Sequence, residues 1–317
     1  MKTAWLALST LIGIVPAAAQ EAYPNRAITF ICAYQAGSSS DAIVRFMAEK
    51  IRPLAGQTIV VENRQGANGA LATEAIMRAK PDGHTIFIHS PAAITANDSL
   101  LKTPPANTRT GLKVAGTINR QAFMLAVDTT QPYKTVAELT AALKVKGAKA
   151  TYATYATTAT IAGALYKAAN GIDPVEVVYR VGAQSLNDMQ SGTLDFGIYD
   201  PLFALSQERA GRFRLLAIVS PERFQTAPNV PTFRELGMDI VLMGWWSAIV
   251  PTATPKPITD QINKWVDAVV AQEDTKKFLN TIGAEPWTIS QEEANKLYQS
   301  EFANYGKAVA AAKMEKQ

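Results

Sequence analysis

Residues 27–41 read AITFICAYQAGSSSD, and residues 150–160 read ATYATYATTAT. Each begins as an apolar run typical of a buried strand, continues through small and hydroxyl residues, and leads into a helical pattern. The N–H groups of a first helical turn have no partner within the helix, and the helix dipole is positive there. Both stretches therefore predict an anion-binding loop at a helix start. We name them the first loop (residues 37–41) and the second loop (residues 155–160).

Strand and helix patterns alternate on either side of these loops. The first half shows them in turn at residues 28–33, 42–53, 58–61, 70–80 and 85–89. A second alternation runs from about residue 123 to residue 219, and helical patterns close the chain. This order predicts an α/β protein with two lobes, each a mostly parallel sheet flanked by helices. We expect the two loops to face a ligand cleft between the lobes.

The alternation also predicts how the chain is divided between the lobes. We expect it to cross between them twice, once near residues 125–128 and once near residues 246–250. Domain 1 would then comprise residues 20–125 plus 247–317, with the C-terminal helices, and domain 2 residues 126–246.

The N-terminus has the pattern of a secretory signal peptide. Lys2 precedes an apolar stretch at residues 4–15, Pro16 interrupts it, and alanines at 17–19 offer a cleavage site. A membrane anchor is the alternative, but the apolar stretch is shorter than the roughly 20 residues that span a bilayer. We expect residues 1–19 to be a signal peptide, cleaved near Ala19, which directs the protein to the periplasm.

Composition and motifs argue against several classes of protein. The formal charge of +4 is spread along the chain, without the clustered basic face of a nucleic-acid-binding protein. Cys32 is the single cysteine and lies in an apolar run, which indicates a buried structural thiol. The two histidines, His84 and His89, belong to no metal-ligand pattern, and phosphate-binding glycine motifs are absent. We expect no metal, no cofactor and no nucleic-acid partner.

Short motifs over most of the chain carry a family resemblance. They are YPNRAIT at 23–29, AGxxxD at 36–41, VVENRxGAxG at 60–69, KPDGHT at 80–85, YR at 179–180, SGTLD at 191–195, VPT at 230–232 and PTATPKP at 251–257. In this order and spacing, the chain resembles the substrate-binding proteins of tripartite tricarboxylate transporters, the Bug or TctC family.

The resemblance implies a fold, a function and partners. The fold would be a type II-like periplasmic binding protein fold, and the protein a monomeric receptor without catalytic activity. Its ligand would be a small organic carboxylate, held by domain closure, and its partner a membrane permease of two subunits. The chain departs from the family pattern in three places. Ser38, Ser39 and Ser40 stand where the first loop is usually richer in glycine, and Arg180 stands where lysine is usual. The second loop lacks the usual glycine and histidine.

Both loops supply candidate ligand-binding residues. In the first, Gly37, Ser38, Ser39 and Asp41 are candidates, although Asp41 could equally be a helix cap, and Tyr34 just before it could line the cleft or pack in a core. In the second, hydroxyls of four residues could bind ligand directly or through water. These are Tyr155, Thr157, Thr158 and Thr160.

Four further candidates lie at strand ends or in a late apolar run. Ser90 follows a strand end, where ligands gather in open α/β sheets. Arg180 could bind a carboxylate through two hydrogen bonds or form a surface ion pair. Asp200 could cap a helix or bind an ammonium group, and Trp246 could face the cleft and stack on a ligand.

Two functional alternatives and the ligand class stay open at this stage. The protein could be a secreted hydrolase that uses a cleft serine, which would require His89 to contact Ser90 or Ser38 with an acid behind it. It could also be the receptor of a sensor kinase. Arg180 and the added hydroxyls favour a dicarboxylate, whereas the tryptophans and tyrosines favour an aromatic acid.

Overall fold

The computed structural model describes residues 22–316, so the expected signal peptide lies outside the described residues. Within them the strands form two sheets. The strands are β1 (Ile28–Cys32), β2 (Ile59–Asn63), β3 (Thr85–His89), β4 (Leu112–Gln121), β5 (Met124–Asp128), β6 (Thr151–Thr154), β7 (Val175–Val178), β8 (Phe196–Tyr199), β9 (Phe213–Ile218), β10 (Gly244–Pro251) and β11 (Glu285–Pro286).

Helices flank both sheets. They are α1 (Ser39–Ala55), α2 (Ala70–Met77), α3 (Pro91–Leu100), α4 (Thr108–Gly111), α5 (Val136–Lys146), α6 (Thr157–Asn170), α7 (Leu186–Gln190), α8 (Pro201–Arg209), α9 (Lys256–Val270), α10 (Glu273–Thr281) and α11 (Gln291–Ala311). Among the residues described, none of these helices has the length and apolar character needed to span a bilayer.

The two sheets define two lobes, as predicted. The first lobe holds the sheet β11-β4-β10-β3-β1-β2, and the second holds β7-β6-β8-β5-β9. The prediction of mostly parallel sheets is correct for only part of each. Strands β1, β2 and β3 pair in parallel, as do β6, β7 and β8. The pairs made by β10, β4 and β5 are antiparallel.

Regularly spaced apolar residues are buried in the core of the first lobe and hold helix α1 against strand β1. Strand β1 pairs with β2 and β3 and is buried along almost its whole length. Helix α1 covers it with Ile43, Val44, Met47 and Ile51, whose i, i+4 spacing places them on one helix face. Cys32 lies in this core, and burial raises the pKa of its thiol to about 11, so the predicted structural thiol is confirmed.

The chain changes lobe slightly earlier than expected. Strand β4 belongs to the first sheet and β5 to the second, so the first crossing falls at residues 122–123. Leu242 still bonds to Val219 of the second lobe, whereas β10 starts at Gly244 in the first sheet. The expected crossing near residues 246–250 is therefore wrong. The division into two domains stays a prediction. Strands β4, β5 and β10 move its predicted bounds to residues 122–123 and to just before Gly244.

Candidate functional site

A cavity of about 470 Å³ lies between the lobes, within the size range of small-molecule sites. Residues at the starts of helices α1, α3, α6 and α8 form part of its wall. The predicted residues on its wall are Tyr34, Gly37, Ser38, Ser90, Tyr155, Thr157, Thr158, Arg180, Asp200 and Trp246. The fold thus brings ten of the thirteen candidate residues to one place.

Side chains of the first loop accept some of its own N–H groups. Asp41, which is 1% exposed, accepts hydrogen bonds from the Gly37 N–H at 2.8 Å and from Arg45 Nε at 2.7 Å. Asn63 Nδ2 donates to its other oxygen at 2.8 Å, and the Asp41 N–H donates to Ser38 Oγ at 3.2 Å. The Asp41 carboxylate therefore occupies the Gly37 N–H, one of the donors that the sequence predicted for a ligand.

The pKa of Asp41 follows from these contacts. Burial alone would raise it, but the hydrogen bonds from Arg45 and Asn63, with that of Gly37, outweigh burial and hold the pKa below its usual value. Asp41 is thus ionised and lies in the first turn of α1, whose N-cap is Ser38, so the predicted cap at Asp41 is wrong.

The second loop lacks such a cap. The N-cap residue of α6 is Ala156, which has no side-chain acceptor, and the first backbone bond of the helix runs from the Thr160 N–H to the Ala156 carbonyl. No acceptor in the described chain receives the N–H groups of Thr157 and Thr158, and both residues line the cavity. Their free donors and the dipole of a 14-residue helix favour an anion at this wall.

A single arginine stands beside the second loop on the cavity wall. Arg180 follows β7, is exposed, and donates its backbone N–H to Gln184 Oε1 at 3.1 Å. Its guanidinium makes no ion pair with any residue of the range 22–316. The predicted surface ion pair is absent from the described chain, which leaves the guanidinium free for an anion in the cavity.

Asp200 places a carboxyl group on the same wall. It is the N-cap of α8 and accepts the Phe203 N–H at 3.1 Å, so the predicted cap is confirmed. The Tyr155 hydroxyl donates to its other oxygen and accepts the Asp200 N–H at 2.8 Å. Burial raises the pKa of Asp200, and the hydrogen bonds oppose this shift only in part.

Aromatic rings and a hydroxyl complete the first-lobe wall. Tyr34 lies 5.4 Å from the His89 ring and 6.0 Å from the Trp246 ring, measured between centroids. Trp246 is 2% exposed, and no acceptor in residues 22–316 lies within hydrogen-bond distance of its Nε1. Ser90 is the N-cap of α3, where its hydroxyl makes no capping bond.

Comparison with known proteins places this architecture in a family. Residues 43–314 match the model of the tripartite tricarboxylate transporter family receptor, TctC. The chain belongs to this family.

Similar members include a UPF0065 protein in the tcbD-tcbE intergenic region of Pseudomonas sp. strain P51. It is 25% identical over 314 residues, which cover 96% of this chain and 92% of that protein. Among solved structures, that of R. palustris Rpa4515 with adipate has a TM-score of 0.84 at 25% identity and covers 93% of this chain and 100% of the other. The periplasmic binding protein BugD has a TM-score of 0.82, also at 25% identity, with coverage of 93% and 100%.

Two predicted site residues of this TctC family chain, Asp41 and Thr160, are not part of the cavity wall. Asp41 is turned into the first lobe by the contacts described above. Thr160 donates its hydroxyl to Thr154 Oγ1 at 3.3 Å, within the second lobe, because one helical turn separates it from the exposed start of α6. The side chain of Ser39 lies outside what the structure describes, although its backbone begins α1.

Several wall residues of this TctC chain escaped the sequence analysis. They include Ser40, Ile43, Asn68, Ala93, Gln121, Phe123, Ala156, Val181, Gly182, Ala183, Leu202, Phe203, Ser206, Gly244 and Ile282. Asn68 lies in the loop between two recognised glycines and has a positive φ of 52°, which asparagine tolerates. Three of these residues flank the crossings between the lobes, namely Gln121, Phe123 and Gly244. Correct positions for the crossings would have predicted them as wall residues.

The histidine required by the hydrolase alternative is not arranged for catalysis. His89 is 1% exposed, and its Nδ1 has no hydrogen-bond partner in the described part of the chain. Burial lowers the pKa of its imidazole to about 3. Ser38 Oγ, one proposed nucleophile, is instead occupied by the Asp41 N–H. In residues 22–316, no cluster of histidine, cysteine, aspartate and glutamate could hold a metal ion.

Proposed function

We propose that this chain is an exported receptor that captures a small organic carboxylate between its lobes and delivers it to a tripartite tricarboxylate-type permease. One observation carries the proposal. The uncapped start of α6 and the unpaired Arg180 guanidinium lie on the wall of the same interlobe cavity. Two free N–H groups and a planar guanidinium form a donor set that matches a carboxylate.

Ligand capture would couple to closure of the lobes. The carboxylate would be held mainly by the second lobe, whereas Trp246, Ser90 and Tyr34 offer contacts from the first. A ligand that contacts both lobes stabilises the closed form over the open form by the contacts made only on closure. The closed surface would then be the one that the permease recognises.

The remaining properties of the proposal rest on the family and on the sequence. Residues 1–19 would be removed near Ala19 on export to the periplasm, and the protein would act there as a monomer without catalysis. Among the described residues no acid orients the buried, uncharged His89, which supports a binding role over a hydrolytic one. The similar structure with adipate supports a carboxylate as the ligand.

Calorimetric titration with a panel of benzoate, adipate and malate tests the proposal. We expect saturable binding of at least one acid, weakened at least about 10-fold in Arg180→Gln by loss of charge-assisted hydrogen bonds. Arg52→Gln is the matched control, because Arg52 is an exposed arginine of α1 that does not line the cavity. Absence of saturable binding to every acid would overturn the proposal. Co-purification with the permease subunits tests the partner separately.

A further inference from the structure

One short turn of the first lobe contacts the second lobe at the edge of the cavity. Residues 281–285, which we call the interlobe turn, lead from the end of helix α10 into strand β11 of the first sheet. Ile282 and Ala284 of this turn are buried in the core of the first lobe, and Ile282 also lines the cavity. The turn is therefore fixed to the first lobe, and its contacts with the second lobe join the two.

Helix α8 of the second lobe lies against this turn. Pro201, Leu205 and Arg209 recur every four residues and so share one face of the helix. A Cβ atom placed on Gly283 would lie 2.6 Å from Leu205 Cδ1 and 2.7 Å from Pro201 Cβ. At the end of the helix, Arg209 Nη2 donates to the Thr281 carbonyl at 3.3 Å. The lobes thus approach so closely here that only a glycine at position 283 leaves room.

Polar contacts extend this junction to the loop after β9. Phe224 of that loop is buried in the core of the second lobe. The Gln225 N–H donates to Glu285 Oε1 at 2.8 Å, and Arg120 of β4 donates to Glu285 Oε2 through Nε at 2.9 Å. Arg120 Nη1 pairs with Glu222 Oε1 at 2.8 Å. The Glu285 carboxylate therefore accepts hydrogen bonds from both lobes.

These contacts depend on the distance between the lobes. Leu202 of α8 and Ile282 of the interlobe turn line the same cavity from different lobes. A rotation that widens the cavity by moving α8 away from Ile282 would also separate α8 from Gly283. Contacts made only in the closed arrangement raise the population of that arrangement, and the apparent affinity for a ligand rises with it.

From these observations we propose that Gly283 and Glu285 are positioning residues of the interlobe turn. Their contacts with α8 and with the loop after β9 hold the lobes closed and raise ligand affinity, although neither residue belongs to the described cavity wall. This inference rests on the proposed receptor function and adds the residues that set its closure equilibrium. Because neither residue contacts the ligand, their loss should change the affinity for every acid by the same factor.

Gly283→Ala tests the inference by adding one methyl group at the contact with α8. The new Cβ would meet Leu205 and Pro201 and move the helix away from the turn. We expect calorimetric titration to show about 10-fold weaker binding of each acid of the benzoate, adipate and malate panel that the native protein binds. The ratio of affinities between two such acids should stay constant. The dissociation rate should rise, because the lost contacts form only after the ligand has entered.

Gly237→Ala is the matched control. Gly283 and Gly237 have positive φ angles of 72° and 81°, so an alanine strains the backbone at either position. Among residues 22–316, only its chain neighbours come within 4 Å of a Cβ atom placed on Gly237. This variant should lose stability but keep the native affinity and dissociation rate. Native affinity in Gly283→Ala, or an equal loss in Gly237→Ala, would overturn the role of the interlobe turn.

Hydrogen exchange of the native protein provides a second test that needs no variant. The Gln225 amide donates to Glu285 between the lobes, so its exchange should slow when the tightest-binding acid of the panel raises the population of the closed form. An unchanged rate in the presence of a bound acid would overturn the inference and leave the receptor proposal standing. If the native protein binds none of the three acids, the receptor proposal fails and the inference fails with it.

Discussion

The first and second loops have similar sequences of small and hydroxyl residues before a helix, yet their hydrogen bonds differ. In the first loop, the buried Asp41 accepts the Gly37 N–H and pairs with Arg45. In the second loop, Ala156 stands at the N-cap, and the N–H groups of Thr157 and Thr158 have no acceptor among residues 22–316. The two helix starts therefore differ in whether an acidic side chain of the protein already accepts an N–H of the loop. We expect the ligand carboxylate at the second loop.

An acidic side chain at the start of α6 should abolish the difference between the two loops, and we expect it to change ligand affinity more than any other substitution. Ala156→Asp would place a carboxylate at the N-cap of α6, where it accepts the free N–H groups and repels an anion. We expect carboxylate affinity to fall at least about 100-fold in calorimetric titration, while the melting temperature rises.

Ala156→Asn is the matched control for that variant. It supplies a cap without charge, so it should also stabilise the helix but lower affinity less, by about 10-fold. Undiminished binding by the aspartate variant would place the ligand carboxylate elsewhere.

A second buried carboxylate of the first lobe sharpens the contrast with Asp41. Glu301 of α11 accepts the Trp245 Nε1–H at 2.7 Å, but its other oxygen has no partner in the described residues. Burial raises its pKa to about 8, partly opposed by that hydrogen bond. Asp41, which is paired with Arg45, has a lowered pKa instead.

The raised pKa of Glu301 predicts a pH dependence of stability. Because the folded protein holds this proton more tightly than the unfolded chain, the stabilisation is complete below about pH 4.5 and is lost as the pH rises to about 8. Between pH 6 and pH 7.5 the free energy of unfolding should fall by up to about 2 kcal/mol. Urea denaturation at both pH values measures this fall. Glu301→Gln should flatten it, and an equal fall in that variant would contradict the assignment.

Removing the charge of the first loop should affect stability more than binding. Asp41→Asn loses the ion pair with Arg45 and weakens the bond to the Gly37 N–H, so we expect the free energy of unfolding to fall by about 1.5 kcal/mol. Urea denaturation measures the loss, and titration with the tightest-binding acid of the benzoate, adipate and malate panel should show less than about a threefold change in affinity. Intact stability together with abolished binding would indicate that the first loop holds the ligand.

Two threonines of the second loop provide the smallest and most selective test. Thr157 lines the cavity, whereas the Thr160 hydroxyl donates to Thr154 inside the lobe. Thr157→Val should weaken binding of the same acid about fivefold through the loss of one hydroxyl. Thr160→Val should leave affinity unchanged. The reverse order of effects would mean that helix α6 presents a different face to the ligand.

The sequence predicted the two lobes and part of the cavity wall because local patterns carry that information. Strand β3 has the predicted bounds, residues 85–89, and both loops lie at helix starts as expected. Helix α3 and strand β4 were not predicted, because Pro91–Leu100 and Leu112–Gln121 lack a clear apolar period. The second crossing was misplaced because β10 is buried along its whole length, so its apolar run did not indicate which sheet it joins.

The hydrogen bonds of the site could not be predicted, because they depend on residues far apart in sequence. Asn63 reaches Asp41 across 22 positions, and Tyr155 reaches Asp200 across 45. From the sequence, Asp41 could be a helix cap or a ligand-binding residue. The pairing of β2 with β1 brings Asn63 to Asp41, and this contact turns the carboxylate into the first lobe. The same holds for Trp246, whose buried indole N–H has no acceptor among residues 22–316, as only the folded chain shows.

The most direct test of the account is to follow backbone amide resonances of isotope-labelled protein while the tightest-binding acid of the panel is added. We predict that the amide protons of Thr157 and Thr158 shift downfield as they begin to donate to the carboxylate, while that of Gly37 keeps its position on Asp41. A large downfield shift at Gly37, with Thr157 and Thr158 unchanged, would contradict the account.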